Sequence, residues 1–477
     1  MREVETLIVG GGISGIATAW QLDYLGNDVE VWESDDRIGG KIKTEQSDGY
    51  ITEQAASMVL NFRPEVTQFL QESGLENHKL LRTPTAKRYL INNGNLQEMP
   101  MKMAGMLFSP LWSLPGKLRL MLEPFILKGG GEHESVADFI RRRLGNEMLD
   151  KALGAYISGT LASDPEKADS YSVLPHLTTL EKQYGSLTAG VFARKIINKK
   201  KASITEGFSF QGGMTTLVQE LSKQLGNNIH TGYKITAISP HKKGWLVNAE
   251  TEYGEQSCYT KNLVLSTPAP VTANLLKPLN SELYNLLNDI RYAPLSIVHL
   301  GYNKNNIKHD VEGTGFLTPF NEKLKLNGSM WMHSLFSERA PQGQVLLSNY
   351  IGGSRYPDIV SQNEQYQVDT VSNELESLLD IKGDPEWMRV NKHTQALPLY
   401  HGNYTVRQQA IEKQMESMSG LYLQANYLGG VSIRDRLVCA RALAKKLSKE
   451  LSKELGNTTH NNPQESPLIL KSGGGAI

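Results

Sequence analysis

Apolar and polar positions fall into a strand, a glycine turn and a helix at the start of the chain. Leu7, Ile8 and Val9 are consecutive and apolar, the pattern of a buried strand. Past the glycines, Ile13, Ile16, Ala17 and Leu22 recur at helical spacing until Gly26. "DVEVWES" then reads as a second strand, completing one βαβ unit. A helix is expected to begin near Pro64, since proline favours the first helical turn. Residues 87–100, "KRYLINNGNLQEMP", read as a hairpin turning at Asn93-Gly94.

Residues 101–128 have a different character. Met, Leu, Phe and Trp dominate, but Pro110, Pro115 and Pro124 rule out one straight helix. Two readings stay open from the residues alone: short helices forming a buried wall, or an apolar surface lying on a membrane. Ser135 with Asp138 resembles a capping box, and Val136, Phe139, Ile140 and Leu144 form a helical stripe. Later, 229–268 alternate like the strands of a meander. Residues 420–447 repeat the opening theme of strand, glycine turn and helix, and the Asn-, Pro-, Ser- and Gly-rich end reads as a disordered tail.

Composition narrows the function. Lys plus Arg and Asp plus Glu are both 50, so there is no basic excess to bind nucleic acid. The runs at Arg141–Arg143 and Lys199–Lys201 read as solvated faces. Cys258 and Cys439 show no metal spacing, and neither do the 11 histidines; no metal is expected. The two lone thiols suit a reducing compartment, and nothing at the start reads as a signal or transit segment, so a cytoplasmic protein is expected.

Gly10, Gly12 and Gly15 form G-x-G-x-x-G between a strand and a helix, with Glu33 ending the second strand. The glycines permit a tight turn, close approach of a pyrophosphate and close helix–strand packing, and the acid suits ribose hydroxyls. Gly39-Gly40 precede Lys41, and residues 421–433 enter a second glycine turn. Both features resemble the amine-oxidase-like flavoproteins and imply FAD rather than NAD.

Further segments resemble one family, the oxygen-dependent protoporphyrinogen oxidases of haem biosynthesis. They are "PTAKRYLINNGNLQEMP", "AYISGTLASDP", "YGSLTAGVF", "SFQGGMTTL", "FSERAP" with "LLSNYIGGSR", "ALPLYHGNY" and "NYLGGVSI", in that order over nearly the whole chain. The resemblance implies an α/β fold of the p-hydroxybenzoate hydroxylase/monoamine oxidase type, with a Rossmann-like FAD domain, a mixed-sheet substrate domain and a helical insertion. FAD parts are expected at 1–83, 205–275 and 406–455, a substrate hairpin at 84–100, the insertion at 101–204, the substrate domain at 276–405 and the tail at 456–477. It also implies a porphyrinogen substrate, molecular oxygen as acceptor, and peripheral membrane contact of 101–128 on the cytoplasmic face of the inner membrane; a homodimer is compatible with it.

The resemblance assigns residues too. Arg88 corresponds to a propionate-binding arginine and Tyr350 to an aromatic stacked on a pyrrole, with Met330, Leu317 and Ser163 lining the same slot. FAD is expected against Gly10, Gly12, Ile13, Ser14, Gly15, Glu33, Ser34, Gly39, Gly40, Lys41, Ala56, Ser57, Met58, Ile235, Asn426, Gly430, Val431 and Ser432. No side chain is expected to act as nucleophile or base, since the flavin carries the chemistry; His393 and His401 read as hydrogen-bonded structural histidines. No cysteine is expected beside the second glycine turn, which argues for non-covalent FAD. The chain departs from the family where "EQAAS" stands for "EGPNS" or "EGANT", putting Gln54 for glycine and Ala56 for asparagine. It also has Ser163 for a glycine, and Gln424-Ala425 for "AG". Alternatives are oxidation of coproporphyrinogen III, with Lys87 beside Arg88 as an extra cation, another amine-oxidase-like reaction, and an inert porphyrin-binding relative.

Overall fold

The computed structural model describes residues 2–84, 87–100, 105, 108–131, 133–197 and 206–459. The opening pattern folds as expected. Strand Arg2–Val9 leads into helix Ile13–Tyr24, and Val29–Trp32 pairs in parallel with the first strand. These belong to a seven-stranded sheet ordered Ile229–His230, Val29–Trp32, Arg2–Val9, Gly254–Leu265, Gly244–Thr251, Lys234–His241, with Leu421–Leu423 paired in parallel beside the end of Gly254–Leu265. Five parallel strands therefore finish on one edge. Backbone bonds from Gly10 to Trp32 (2.8 Å), Ser266 to Val9 (2.8 Å) and Gln424 to Leu265 (2.9 Å) tie those ends in a row. Helix Ile13–Tyr24 packs against helix Ile433–Thr459 through Ile16, Ala19 and Trp20 on one side and Leu437, Ala440 and Ala444 on the other. That last helix runs four residues past Leu455, where the apolar pattern stops; residues 460–477 lie outside the described set.

A second seven-stranded sheet is ordered Trp387–Pro398, Tyr292–Asn303, Gln344–Gly352, Leu326–Trp331, Gly315–Leu317, Arg88–Asn92, Asn95–Glu98. Its pairs are antiparallel except Gly315–Leu317 with Arg88–Asn92. One face carries Tyr89, Phe316, Trp331 and Leu347, which share a core with Val368, Val371 and Leu375 of helix Glu364–Leu379. Strand alternation sends Arg88, Leu317, Met330 and Tyr350 to the other face. The outer hairpin turns at Asn93 (φ +53°) and Gly94 (φ +73°), two consecutive left-handed residues, as that dipeptide predicts.

Between the sheets' segments lies the helical insertion. Ser135 caps helix Val136–Leu144 as its spacing predicts, accepting from Asp138 N (3.0 Å). Residues 101–128 divide between a buried part and an exposed apolar part. Leu111 and Trp112 are buried in the insertion's core. Leu114, Leu118 and Met121, on one stripe of helix Leu114–Met121, are exposed, as are Phe125 and Leu127. The rest of that expectation, at 101–104, 106 and 107, lies outside the described residues.

The arginine run is not a solvated face. Arg143 is fully buried, with Nε 3.5 Å from Glu123 and 3.3 Å from Glu181 and Nη1 donating to Ile126 O (2.9 Å). Arg142 is bracketed by Glu134 and Glu181, each with an ion pair at 2.7 or 2.6 Å. Buried charges persist where paired and hydrogen-bonded, so only Arg141, paired with Glu166, fits the surface reading. The lysine run 199–201 is outside the described residues.

Candidate active site

Both glycine turns lie on the edge where the parallel strands end, the place where open α/β sheets bind ligands. At Gly15 a Cβ would stand 2.0 Å from Gly10 O, so only glycine lets this helix meet its strand. At Gly12 a Cβ would meet nothing within 4 Å, although Gly12 caps a helix whose first N–H groups have no side-chain cap. Open space over uncapped helix N–H groups is the setting in which helix N-termini bind phosphates. Glu33 is buried beside it, its carboxylate accepting from Gly11 N (2.5 Å), Ser34 Oγ (3.0 Å) and Asp35 N (2.9 Å). Gly39 N donates to Gly11 O (2.8 Å), and a Cβ on Gly40 would stand 3.3 Å from Gly12 Cα, so the second glycine pair passes directly against the first motif.

The later cofactor candidates join the same edge. Ser432 Oγ donates to Asp435 (2.6 Å) and caps the start of the last helix, next to Gly430 and Val431. Asn426 O accepts from Tyr400 OH (2.7 Å). Lys41 reaches Ala396 O (2.6 Å) and lies over the Tyr292 ring, 5.5 Å from its centre. Its side chain is open to solvent yet walled by protein, and this desolvation lowers the ammonium to about 8. Ile235 sits on the strand beyond Tyr233, whose N–H donates to Glu33 O (2.8 Å), one step before a bulge. Ile13 and Ser14 open the first helix.

The substrate candidates form a row across the second sheet. Arg88 pairs with Gly315 and Gly315 with Met330, so Arg88 and Met330 face each other across a residue with no side chain. One row over, Leu317 pairs with Gly328 and Gly328 with Tyr350. Leu317 is held against helix Gly154–Leu161: a Cβ on Gly159 would stand 2.4 Å from Leu317 Cδ2. Tyr350 OH lies 3.5 Å from Met330 Sδ and 3.3 Å from Ser57 Oγ, and burial raises its phenol above the ordinary value. Met58 and Met330 pack on one cluster with Tyr50 and Leu346. Burial, and then the nearby Arg82, lower the Arg88 guanidinium. Ser163 is buried with its hydroxyl 2.9 Å from His401 Nε2. His393 Nε2 lies 2.5 Å from Gln54 O, so both histidines have structural partners. Ala56 is exposed, and Gln54 keeps a negative φ despite standing for a glycine.

Sequence reasoning missed two residues here. Cys439 does stand beside the second glycine turn: its Sγ is 3.8 Å from Gly429 O and 3.5 Å from Arg436 Nη2, because the helix start folds back over the turn. Glu53 is buried, accepting from Met214 N (2.9 Å) and Thr44 Oγ1 (2.8 Å), with Arg339 at 3.8 Å; burial pushes it up to about 7. Only its place in "EQAAS" could have flagged it. Among the described residues no group of His, Cys, Asp and Glu could hold a metal ion.

The comparisons agree with this geometry. The family model for flavin containing amine oxidoreductases matches residues 13–433. Protoporphyrinogen oxidase 1, chloroplastic, of Arabidopsis thaliana is 31% identical over 459 residues, covering 90% of this chain and 85% of the relative. Coproporphyrinogen III oxidase of Bacillus subtilis is 27% identical over 454 residues, covering 90% and 94%. A crystal structure from Exiguobacterium sp. 255-15 shares the fold with a TM-score of 0.78 at 19% identity, covering 94% of this chain and 99% of that one. With a glycine cradle, a buried acid and a second glycine turn on one sheet edge, the chain belongs to the flavin-containing amine oxidoreductases and is an FAD-dependent oxidoreductase.

Proposed function

We propose that this protein oxidises protoporphyrinogen IX to protoporphyrin IX in haem biosynthesis, with molecular oxygen as acceptor. Six electrons and six hydrogens leave in three two-electron cycles, and each cycle reduces one oxygen to hydrogen peroxide. The observation that carries the reading is the Arg88–Gly315–Met330 row beside Tyr350, an apolar strip ending in a cation and clasped by Ser57 to the cofactor loop. FAD, when bound, supplies the hydride acceptor. This chain's residues hold the macrocycle: Arg88 takes a propionate, and Tyr350, Met330 and Leu317 face the pyrroles.

The cofactor is read as non-covalent, since the Cys439 thiol is packed against Gly429 and Arg436. The protein is read as cytoplasmic, touching a membrane through the exposed Leu114, Leu118, Met121, Phe125 and Leu127. Among the described residues no helix is long and apolar enough to cross one. The second reading is coproporphyrinogen III, named for the Bacillus subtilis relative and favoured by exposed Lys87 next to Arg88. Oxygen uptake and porphyrin fluorescence with the two porphyrinogens side by side test both. Flavin-loaded protein inactive on either would end the proposal.

A further inference from the structure

Arg82 follows strand Lys79–Leu81 and carries no recognisable motif. Its N–H donates to Gly207 O (2.9 Å), and its side chain crosses bare glycine. A Cβ on Gly207 would stand 2.5 Å from Arg82 Cδ, 2.6 Å from its Nε and 2.7 Å from Met58 Cε. Arg82 and Met58 therefore meet over Gly207, and Met58 packs on the cluster that holds Met330, opposite Arg88. The Arg82 charge acts on Arg88.

Neither guanidinium has a hydrogen-bond or ion-pair partner among the described residues. That sets them apart from the other enclosed arginines. Arg143, Arg339, Arg436 and Arg441 all direct donors at carboxylates, carbonyls or hydroxyls. Two half-buried guanidiniums repel each other and leave their forked donors unused unless an anion completes them. No carboxylate among the described residues completes them, which leaves both donors open to an anion from outside.

We propose that Arg82 and Arg88 together receive the two neighbouring propionates of the porphyrinogen, which makes Arg82 a specificity residue. The inference rests on the porphyrinogen reading. It assigns the macrocycle's orientation: the carboxylate edge faces Arg82 and Arg88, and the apolar edge extends over Met330 toward Tyr350.

The test titrates flavin-loaded wild type, Arg82→Met and Arg82→Lys with protoporphyrin IX and with its dimethyl ester, followed by porphyrin fluorescence. Arg82→Met should bind the diacid about 10-fold more weakly, the size of one charge-assisted hydrogen bond, and the diester unchanged. Arg82→Lys should keep most of the diacid affinity. Arg82→Met binding both ligands like wild type, or losing both equally, would overturn the inference while leaving the porphyrinogen reading intact. Loss of flavin in both variants would make Arg82 a structural residue and also overturn it. Wild type that binds neither ligand and oxidises no porphyrinogen would remove both.

Discussion

Two alanine substitutions in one motif should fail in opposite ways. In Gly15→Ala the new Cβ would lie 2.0 Å from Gly10 O, 3.2 Å from Gly10 C and 3.3 Å from Ile8 Cγ2. The first contact is with backbone, so helix and strand must separate by about 1 Å to restore van der Waals distance, an overpacking cost on the order of 3 kcal/mol. In Gly12→Ala the methyl meets no protein atom, and φ −71°, ψ 174° suits alanine. Reduced unfolded-chain entropy favours the variant by about 0.4–1 kcal/mol. Alanine is a poorer N-cap than glycine by a comparable amount, so stability should change by less than about 0.5 kcal/mol. The methyl does occupy the space a pyrophosphate needs. Losing one or two charge-assisted hydrogen bonds weakens FAD by about 100-fold.

Thermal unfolding of the deflavinated proteins, with FAD titrated by flavin fluorescence, separates the cases. Gly12→Ala should melt with wild type and stay colourless at FAD concentrations that saturate wild type. Gly15→Ala should melt several degrees lower. If Gly12→Ala bound FAD within threefold of wild type, or lost as much apoprotein stability as Gly15→Ala, the assignment of the open space to the pyrophosphate would be wrong.

Arg88→Ala should raise KM for a porphyrinogen by about 10- to 100-fold with little change in bound flavin; steady-state kinetics and flavin absorbance together check this. His299 is fully buried, with Nδ1 2.8 Å from Ser348 Oγ, and burial lowers it to about 4, with Glu53 backbone and Asn391 opposing, Arg389 adding and Glu45 opposing. Its folded value lies below its unfolded one, so its stability contribution is present above pH about 6.5 and falls by about 3 kcal/mol as pH drops to 4 and below; chemical denaturation against pH should show a shallower acid slope for His299→Gln. Leu118→Asp with Phe125→Asp should abolish co-sedimentation with anionic vesicles while leaving turnover in detergent unchanged, since each apolar side chain buried in lipid contributes about 1.5–3 kcal/mol. Acid precipitation should release the flavin from wild type and Cys439→Ser alike; flavin retained only by wild type would mean a covalent link.

The legible parts of the chain were those with local signals. Asn93-Gly94 fixes its hairpin by φ alone, and Pro64 and Ser135 begin helices through their own chemistry. The glycine motif announced its strand and helix because its spacing reports a packing constraint, seen at Gly15. What could not be read depends on partners distant in sequence. Three consecutive arginines look solvated until Glu123 and Glu181 arrive from either side to bury Arg143. Ser57 and Tyr350 meet across 293 positions, and Arg82 is marked only by the bareness of Gly207. Family likeness singled out Tyr350 and Arg88 as candidates, but it could not supply the strand register that aligns Arg88 with Met330 through Gly315.

That register also decides how the departures at "EQAAS" should be weighed. The segment is pinned at both ends: Glu53 takes the Met214 N–H and the Thr44 hydroxyl, and Ser57 meets Tyr350. Between the pins, Gln54 O accepts from His393 of the second sheet's edge strand, and Gln54 needs no left-handed backbone. A glycine at 54 is therefore not required for this path of the chain, and the replacement leaves the clasp between the sheets in place. Ala56 is exposed and bonds to nothing through its methyl. An alanine there offers a ligand no polar side-chain contact. The contacts that pin this segment, and the register of the Arg88 row, involve neither the side chain of Gln54 nor that of Ala56.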